Sequence, residues 1–491
     1  MYDKTSQTLK INGKVTAPFR TYKGVRQGCI LSPRLFNMFI NDLPEIFDKT
    51  CDPVKLGNID LQCLIYADDI VILSESQKGL QRCMSKLEIY TAKWDMKLNE
   101  KKTKIISFKK QGKMSKINIT FQGQCLEQVK QYKYLGTIIC RNGGFNPNTK
   151  YLKGKGLRAR YLVTKAVGFD GKPSTVIKIF EKMVEPILLY NCEIGQVTIP
   201  KNTDWKKFQS KMWTYSPETE KVIHGLLRLT LGVGKKTTRL GMLAEVGKYP
   251  LCMKIYIQTM KYYVRLISTD NKLLKNALME ATKRQQEGRH SWLQQIHILR
   301  KSTELDNKFE LVKEPNKFMS KFKKSLYQNF EQYWKEEHKK DGKLRFYFQY
   351  KQDFKYEKYL DYTEKKQRQA ISQLRLSSHK LPIEQMRIYN VNKGQRICDL
   401  CNSGEVGDEM HYLEKCSNLA MGKCRSKFKD EIEAAQPQFQ KFNISNTIQY
   451  CLKVHDKETY IAFGRFVSNI LKTYDNEMEK QLEEATRCPI M

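Results

Sequence analysis

The stretch Leu64-Ile-Tyr-Ala-Asp-Asp-Ile-Val-Ile-Leu-Ser74 decides how the chain is read. An apolar run (Leu64, Ile65, Tyr66) meets two adjacent carboxylates, Asp68 and Asp69, and a second run (Ile70, Val71, Ile72, Leu73) leads away. Two such runs around a short polar break predict a hairpin with its acids at the tip. Burying two ionised carboxylates between strands is costly unless something positive meets them. The pair is therefore expected at an exposed turn or around a metal ion. Aspartate favours turns for backbone reasons alone, so the stretch by itself fits either.

Upstream lies Lys23-Gly-Val-Arg-Gln-Gly-Cys-Ile-Leu-Ser-Pro33. Gly24 and Gly28 permit positive φ or close backbone approach, and Arg26 and Gln27 offer donors suited to phosphate or base edges. Together the two stretches resemble the palm of a reverse transcriptase, with Gly24–Pro33 matching that family's sequence block B and Tyr66-Ala-Asp-Asp69 its block C. The flanking Leu35-Phe36-Asn37 and Ile40-Asn41-Asp42-Leu43 narrow the resemblance to the LINE-type, non-LTR retrotransposon branch.

The resemblance implies RNA-directed DNA polymerase activity, with Asp68 as principal Mg²⁺ ligand and Asp69 beside it. It places Arg26, Gln27 and Gly28 near template and nucleotide. Asn99-Glu-Lys-Lys-Thr103 resembles block D, which puts Lys102 near the incoming triphosphate. Gln131-Tyr-Lys-Tyr-Leu-Gly136 resembles block E, which makes Tyr134, Leu135 and Gly136 the primer grip. Outside that context a lysine in a turn is usually just solvated. The implied partners are an RNA template, a DNA primer supplied by a nicked chromosomal end, and deoxynucleoside triphosphates.

Composition agrees with a polyanionic partner. Lys and Arg number 87 against 52 Asp and Glu, a net charge of +35 over 491 residues, which favours nucleic acid over an acidic membrane surface. Apolar runs such as Ile187–Tyr190 fall far short of the ~20 residues that span a bilayer, and the first residues do not resemble a secretory signal. No membrane association is expected. The protein is expected to be intracellular, and by resemblance nuclear; its oligomeric state is left open. The 14 cysteines mostly sit singly among apolar neighbours, as do Cys63, Cys83, Cys192 and Cys252, and read as reduced core residues.

Along the chain, Asn12-Gly13 between two strand-like runs is a hairpin signal. Pro33 starts an amphipathic helix carrying Leu35, Phe36, Met38, Phe39, Ile40 and Leu43, which polymerase palms, by resemblance, place behind the catalytic sheet. The spacing of Leu80, Cys83, Met84, Leu87, Tyr90, Thr91 and Trp94 predicts a second helix packed on the sheet, followed by a strand over Lys104–Phe108. Residues 150–167 and 174–190 read as two helices, with Ser174 a candidate N-cap. Glu185-Pro-Ile-Leu-Leu-Tyr190 with Glu193, and Leu243–Leu251, match segments typical of these elements, without assignable chemistry. Phe318, Phe322, Leu326, Phe330 and Tyr333/Trp334 recur at helical spacing, which fits a buried stripe or, less simply, a base-stacking surface.

Near the C-terminus Cys398, Cys401, His411 and Cys416 have the spacing C-x2-C-x9-H-x4-C. Thiolates and imidazole are Zn²⁺ ligands, and a close Cys-x2-Cys pair is the usual first half of a tetrahedral site. A similar Cys-Cys-His-Cys motif follows the polymerase in LINE-type elements, with a slightly shorter loop before the histidine. Cys424 is near enough in sequence to be a spare ligand.

The resulting expectation is an α+β chain. A partial polymerase palm, an antiparallel sheet with helices on one face, covers 1–142 (blocks B to E). A helical thumb-like region follows at 148–269, a charged helical region at 270–375, a zinc-binding module at 376–425 and a helical tail at 426–491. Two-metal nucleotidyl transfer needs more ligand charge than one Asp-Asp pair. In the family a block A strand, lying before block B, supplies another Asp; here Asp3 is the sole acid upstream of block B and lacks block A's apolar context. The chain is therefore read as N-terminally truncated. Two readings stay open: part of a working reverse transcriptase, or a catalytically inactive nucleic-acid-binding remnant of such an element.

Overall fold

The structure, a computed structural model, describes every residue except 1–5, 21–23, 27, 109–115, 169, 198, 201–202, 216, 289–290, 306–310, 312, 341, 454–455 and 488–491, with the side chains of 485–487 also outside the description. The chain forms two compact units, one from residues 1–144 with 266–289 and the other from residues 145–265 with 290–491. Among the described residues no helix is long and apolar enough to cross a membrane.

The first unit is built from hairpins and short helices. At Asn12-Gly13 the φ angles are +48° and +82°, the left-handed pair that a two-residue hairpin turn requires, and Ile11 pairs with Lys14 across it. Cys63–Tyr66 and Asp69–Ile72 form a second antiparallel ladder, Gln131–Tyr134 and Thr137–Cys140 a third. The helix Gln77–Lys93 starts where the Ser76 hydroxyl accepts the Gly79 N–H at 2.9 Å, one of the donors a helix start leaves open. Its Cys83, Met84, Leu87 and Tyr90 join Leu43, Phe47, Ile105 and Phe121 in the core of this unit, and Ile65, Ile70 and Ile72 pack against it. Fully burying such a side chain contributes roughly 1.5–3 kcal/mol, so the inward side of the Asp68–Asp69 hairpin is anchored through this helix.

Four expectations change in this unit. The single antiparallel sheet is replaced, among the described residues, by seven separate two-stranded ladders, one of them parallel. The strands are two to four residues long, and several end at left-handed turn residues such as Asn12, Ala67, Gln122 and Leu135, which leaves little backbone for a third strand to pair along. The strand read over Lys104–Phe108 shortens to Lys104–Ile105, because its parallel partner is only Glu127–Gln128 and Val129 N–H then closes on Ile105 O at 2.8 Å. The helix begun by Pro33 spans Ser32–Phe39. Its Met38 is 76% exposed and the preceding Ile30 92%, whereas Ile40 and Leu43, just beyond its end, are buried. That apolar stripe is thus packed at its C-terminal end only. Trp94, read as part of the second helix's buried face, is 37% exposed and sets its edge against Phe39 at 5.2 Å. The helix Lys272–Gln286 also belongs here: Asn276 Oδ1 accepts the Asn58 N–H at 2.8 Å.

The second unit is helical. The helix read from 150 begins at Asn146 and runs to Val167. The next starts at Pro173, with Lys172 in the cap position; Ser174 is not the cap, and its N–H is donated to Asp361 Oδ1 at 3.1 Å. It stops at Met183 and a short turn Glu185–Leu188 follows, because Pro186 lacks an N–H and its ring collides with the preceding turn. Phe318, Phe322, Leu326, Phe330 and Trp334, on the helix Pro315–His338, are at most 4% exposed. They are core side chains rather than a stacking surface: Phe330 meets Phe354 at 4.9 Å and Trp213 at 5.2 Å, both edge-on, the arrangement aromatic quadrupoles prefer.

Two buried ion networks join segments distant in sequence. Glu185, 3% exposed at its side chain, sits between Lys248 at 2.5 Å and Lys254. Glu245, fully buried, accepts from Arg375 Nε at 2.7 Å and from Tyr359 OH at 2.6 Å, and Arg375 also reaches Glu357 at 3.3 Å. The two segments that carried no assignable chemistry in the sequence, 185–193 and 243–251, therefore hold the helices together through paired charge.

Candidate functional site

The first candidate site is the tip of the Cys63–Ile72 hairpin. Tyr66 pairs with Asp69, so Ala67 and Asp68 form the turn, with Ala67 at φ +52°. Asp68 and Asp69 are exposed, and Tyr66 is 65% exposed. Apolar residues hold the strands down while the turn presents two carboxylates outward, and among the described residues neither makes an ion pair. Such hard oxygen donors suit Mg²⁺ or another divalent cation.

The Gln131–Cys140 hairpin lies within electrostatic reach of this tip. Burial pushes the Tyr134 phenol up, and the Asp69 carboxylate pushes it further. Leu135 and Gly136 form the turn of that hairpin at φ +44° and +79°, the second of which suits glycine. Lys102 is exposed, in a turn where its N–H donates to Asn99 O and Oδ1 at 3.0 and 3.1 Å. Tyr132 OH donates to Lys102 O at 3.1 Å, which ties this turn to the Gln131–Cys140 hairpin.

Arg26 and Gly28 are exposed, Gly28 at φ +81°, and Arg26 O accepts from the Ser32 hydroxyl at 2.6 Å. Among the described residues Arg26 makes no ion pair with Asp68 or Asp69. Gln27 and Asp3 lie outside the described residues. No third His, Cys, Asp or Glu among the described residues joins the two aspartates in a metal-sized group.

The second candidate site is such a group. Cys398, Cys401, His411 and Cys416 each offer a donor atom, and the four lie within 4.8 Å of one another. Cys398 Sγ is 3.8 Å from Cys416 Sγ, and Cys401 Sγ is 3.4 Å from His411 Nε2. A tetrahedral Zn²⁺ with bonds of about 2.3 Å to sulfur and about 2.05 Å to nitrogen would set these spacings at about 3.8 and about 3.6 Å. The donor set and its size thus fit zinc.

The loop folds to this shape through local bonds. Cys398 N–H donates to Glu405 O and Gly407 N–H to Arg396 O, both at 2.8 Å, closing a hairpin. Leu400 N–H points at Cys398 Sγ at 3.4 Å. His411 Nδ1 meets Glu405 Oε2 at 3.0 Å, which turns Nε2 toward the sulfurs, as a partnered metal-binding histidine requires. Hydrogen bonds from Cys416, His411 and Tyr412 hold the Cys398 thiol well down, at about 3, and bonding to Cys398 and Glu405 lifts His411 to about 9. The same contact with Cys398 holds the Cys416 thiol up, so a metal, which needs thiolates and a neutral imidazole, would release protons from Cys416 and His411 on binding. Cys424 is not in the group; its Sγ meets Thr473 Oγ1 at 3.4 Å on the C-terminal helix. That helix, Lys457–Arg487, also braces the loop, with Tyr474 OH donating to Asp399 Oδ2 at 2.6 Å. The bracing had no sequence signal, because its partners lie 75 positions apart.

Comparison with known proteins bears on the first site. Residues 2–139 match the family "Reverse transcriptase (RNA-dependent DNA polymerase)". The chain is 31% identical over 145 residues to the "Retrovirus-related Pol polyprotein from type-1 retrotransposable element R2" of Nasonia vitripennis, covering 27% of this chain and 13% of that protein. It is 27% identical over 208 residues to the "Probable RNA-directed DNA polymerase from transposon BS" of Drosophila melanogaster, covering 40% and 22%. It is also 27% identical over 186 residues to the "RNA-directed DNA polymerase from mobile element jockey" of Drosophila funebris, covering 35% and 19%. The chain thus spans less than a quarter of the length of these relatives. The matched segment holds the Asp68–Asp69 tip, the Lys102 turn and the Gln131–Cys140 hairpin, and over it the chain is similar to the reverse transcriptases of non-LTR retrotransposons.

Proposed function

We propose that the chain takes part in RNA-directed DNA synthesis, extending a DNA primer on an RNA template from deoxynucleoside triphosphates. The observation that carries this is the pair of exposed carboxylates on a hairpin anchored in a core, with the grip hairpin near enough for Asp69 to act on Tyr134. Asp68 and Asp69 hold Mg²⁺, which when bound neutralises triphosphate charge and favours the attacking 3′-oxygen. Tyr134, Leu135 and Gly136 position the primer end. Lys102 faces the phosphates, while Arg26, Gln27 and Gly28 border the template and nucleotide. Two-metal transfer needs more negative charge than two carboxylates supply, and on this reading a further acid comes from outside the described residues. The helices of 148–269 act as a thumb along the duplex, and Cys398, Cys401, His411 and Cys416 hold Zn²⁺ in the 376–425 module. A nuclear location follows if the primer is chromosomal DNA.

A second reading, nucleic-acid binding without synthesis, is supported by a tip that gathers two carboxylates among the described residues. Primer extension with Mg²⁺, beside Asp68→Asn, separates them. Extension that the substitution abolishes supports synthesis, and absent extension with intact duplex binding supports the second reading.

A further inference from the structure

The second unit contains a cleft of about 500 Å³ that neither candidate site uses. Its walls come from the turn Gly234–Thr237, from Lys343, and from the segment Ser377–Ile388. Four cations line it: Lys235, Lys236, Lys343 and Arg387. The carboxylate at its wall, Glu384, is already bonded to Arg345 at 2.8 Å and to Arg387 at 3.3 Å. Positive charge is therefore in excess, and Lys343 registers it: burial pulls its ammonium down, and Arg387 and Lys236 pull further against the opposite effect of Glu384.

The cleft is held in shape from below. The Ser378 hydroxyl accepts the Gly234 N–H at 2.9 Å and bonds Thr237 Oγ1 at 3.0 Å, while Lys343 Nζ donates to Lys236 O at 3.2 Å. His379 lines the same space with its side chain 1% exposed. Its Nε2 lies 3.1 Å from Glu409 Oε1, and its Nδ1 has no hydrogen-bond partner. A carboxylate only accepts, so Nε2 is the donor and Nδ1 of the neutral ring is left as an acceptor. A buried acceptor without a partner is costly, and a ligand hydroxyl would satisfy it.

We propose that this cleft is a further nucleic-acid contact that seats the sugar–phosphate backbone of a strand. Lys235, Lys236 and Lys343 meet phosphate oxygens, and His379 Nδ1 accepts from a sugar hydroxyl. Cations on three separate segments, two of them exposed lysines on one turn, suit a linear polyanion better than one enclosed ion. The proposal rests on the reading that this chain handles nucleic acid, but it concerns a surface in the other compact unit from the Asp68–Asp69 tip.

The test is equilibrium binding of the full chain to a labelled 20-nucleotide RNA and to the same sequence as DNA, across a salt series. Lys235→Gln/Lys236→Gln changes exposed side chains only, and Lys343→Gln is added in a triple variant. Lys423→Gln/Lys427→Gln, exposed lysines elsewhere in the unit, remove the same charge as the double variant. Each phosphate contact on a single strand contributes about 0.7 to the slope of log affinity against log salt. The double variant should therefore flatten the slope by about 1.4, with a larger change for the triple and little for the control. A loss confined to RNA supports the proposal with His379 reading a ribose hydroxyl; an equal loss on DNA supports it with phosphate contacts alone.

Equal effects of cleft and control substitutions would overturn it. So would displacement of the strand by millimolar inorganic phosphate at matched ionic strength, which would mark a single-anion site. Failure of the unsubstituted chain to bind either strand would overturn both this proposal and the nucleic-acid reading beneath it.

Discussion

Replacing Glu405 by Ala tests whether the Cys398, Cys401, His411, Cys416 cluster is a metal centre. Glu405 Oε2 lies 3.0 Å from His411 Nδ1, on the far side of the ring from Cys401. Its removal takes away the group that fixes ring orientation and raises the basicity of Nε2. Losing such a partner typically costs 10–100-fold in metal affinity. The Glu405 side chain is 51% exposed, so solvent screens it, and the lower end applies: about tenfold, or ~1.4 kcal/mol. The hairpin itself should persist, because the bond from Cys398 N–H goes to the Glu405 backbone. The assay is zinc content by elemental analysis, then affinity by competition with a chromophoric chelator, for the unsubstituted chain and the variant. One zinc per chain with affinity reduced about tenfold is expected. A folded chain without zinc, or affinity unchanged within twofold, would refute the assignment.

Three further outcomes follow from the second unit. Arg375→Met strands Glu245, which is fully buried, and should cost about 3–5 kcal/mol in denaturant unfolding; a loss below about 1 kcal/mol would show that the network is not a stabilising pair. Burial pulls His224 down to about 4, with repulsion from Arg239 and Arg228 added. The unfolded histidine titrates near 6.5, so between about pH 6.5 and 4 the unfolded chain takes up a proton the folded chain refuses. Stability is full above that window and falls through it, by at most about 3 kcal/mol; His224→Gln should flatten this fall, and an unchanged profile would contradict the shift. Phe330→Ala should cost about 3–5 kcal/mol through the cavity it leaves, and a loss under 1 kcal/mol would mean Phe330 does not pack as described.

What the sequence made legible was local. The Asn12-Gly13 turn and the hairpin tip at Asp68 announce themselves through neighbouring residues, because a two-residue hairpin turn restricts which backbone angles its members adopt. The helix Gln77–Lys93 and the Phe318–Trp334 stripe were visible through their period. The candidate ligands Cys398, Cys401, His411 and Cys416 stood out because four donor-type residues fall within a short span.

The long-range contacts were not legible. Glu245 meets Arg375 across 130 positions, and Lys254 meets Glu185 across 69; nothing in either segment's own pattern says which distant charge it will meet. The same holds for Ser378 on Gly234, which closes the basic cleft. Joining of the hairpins into one sheet was expected from the family and not from the residues. In the structure the ladders stay separate among the described residues.

On the proposed function, the Asp68–Asp69 tip holds the metal for nucleotidyl transfer. Its most direct measurement is extension of a DNA primer annealed to an RNA template by purified protein with Mg²⁺ and deoxynucleotides, alongside Asp68→Asn. Extension by the unsubstituted chain and none by the variant is expected, with duplex binding equal in both. Extension that survives the substitution, or none by the unsubstituted chain despite intact binding, would contradict it.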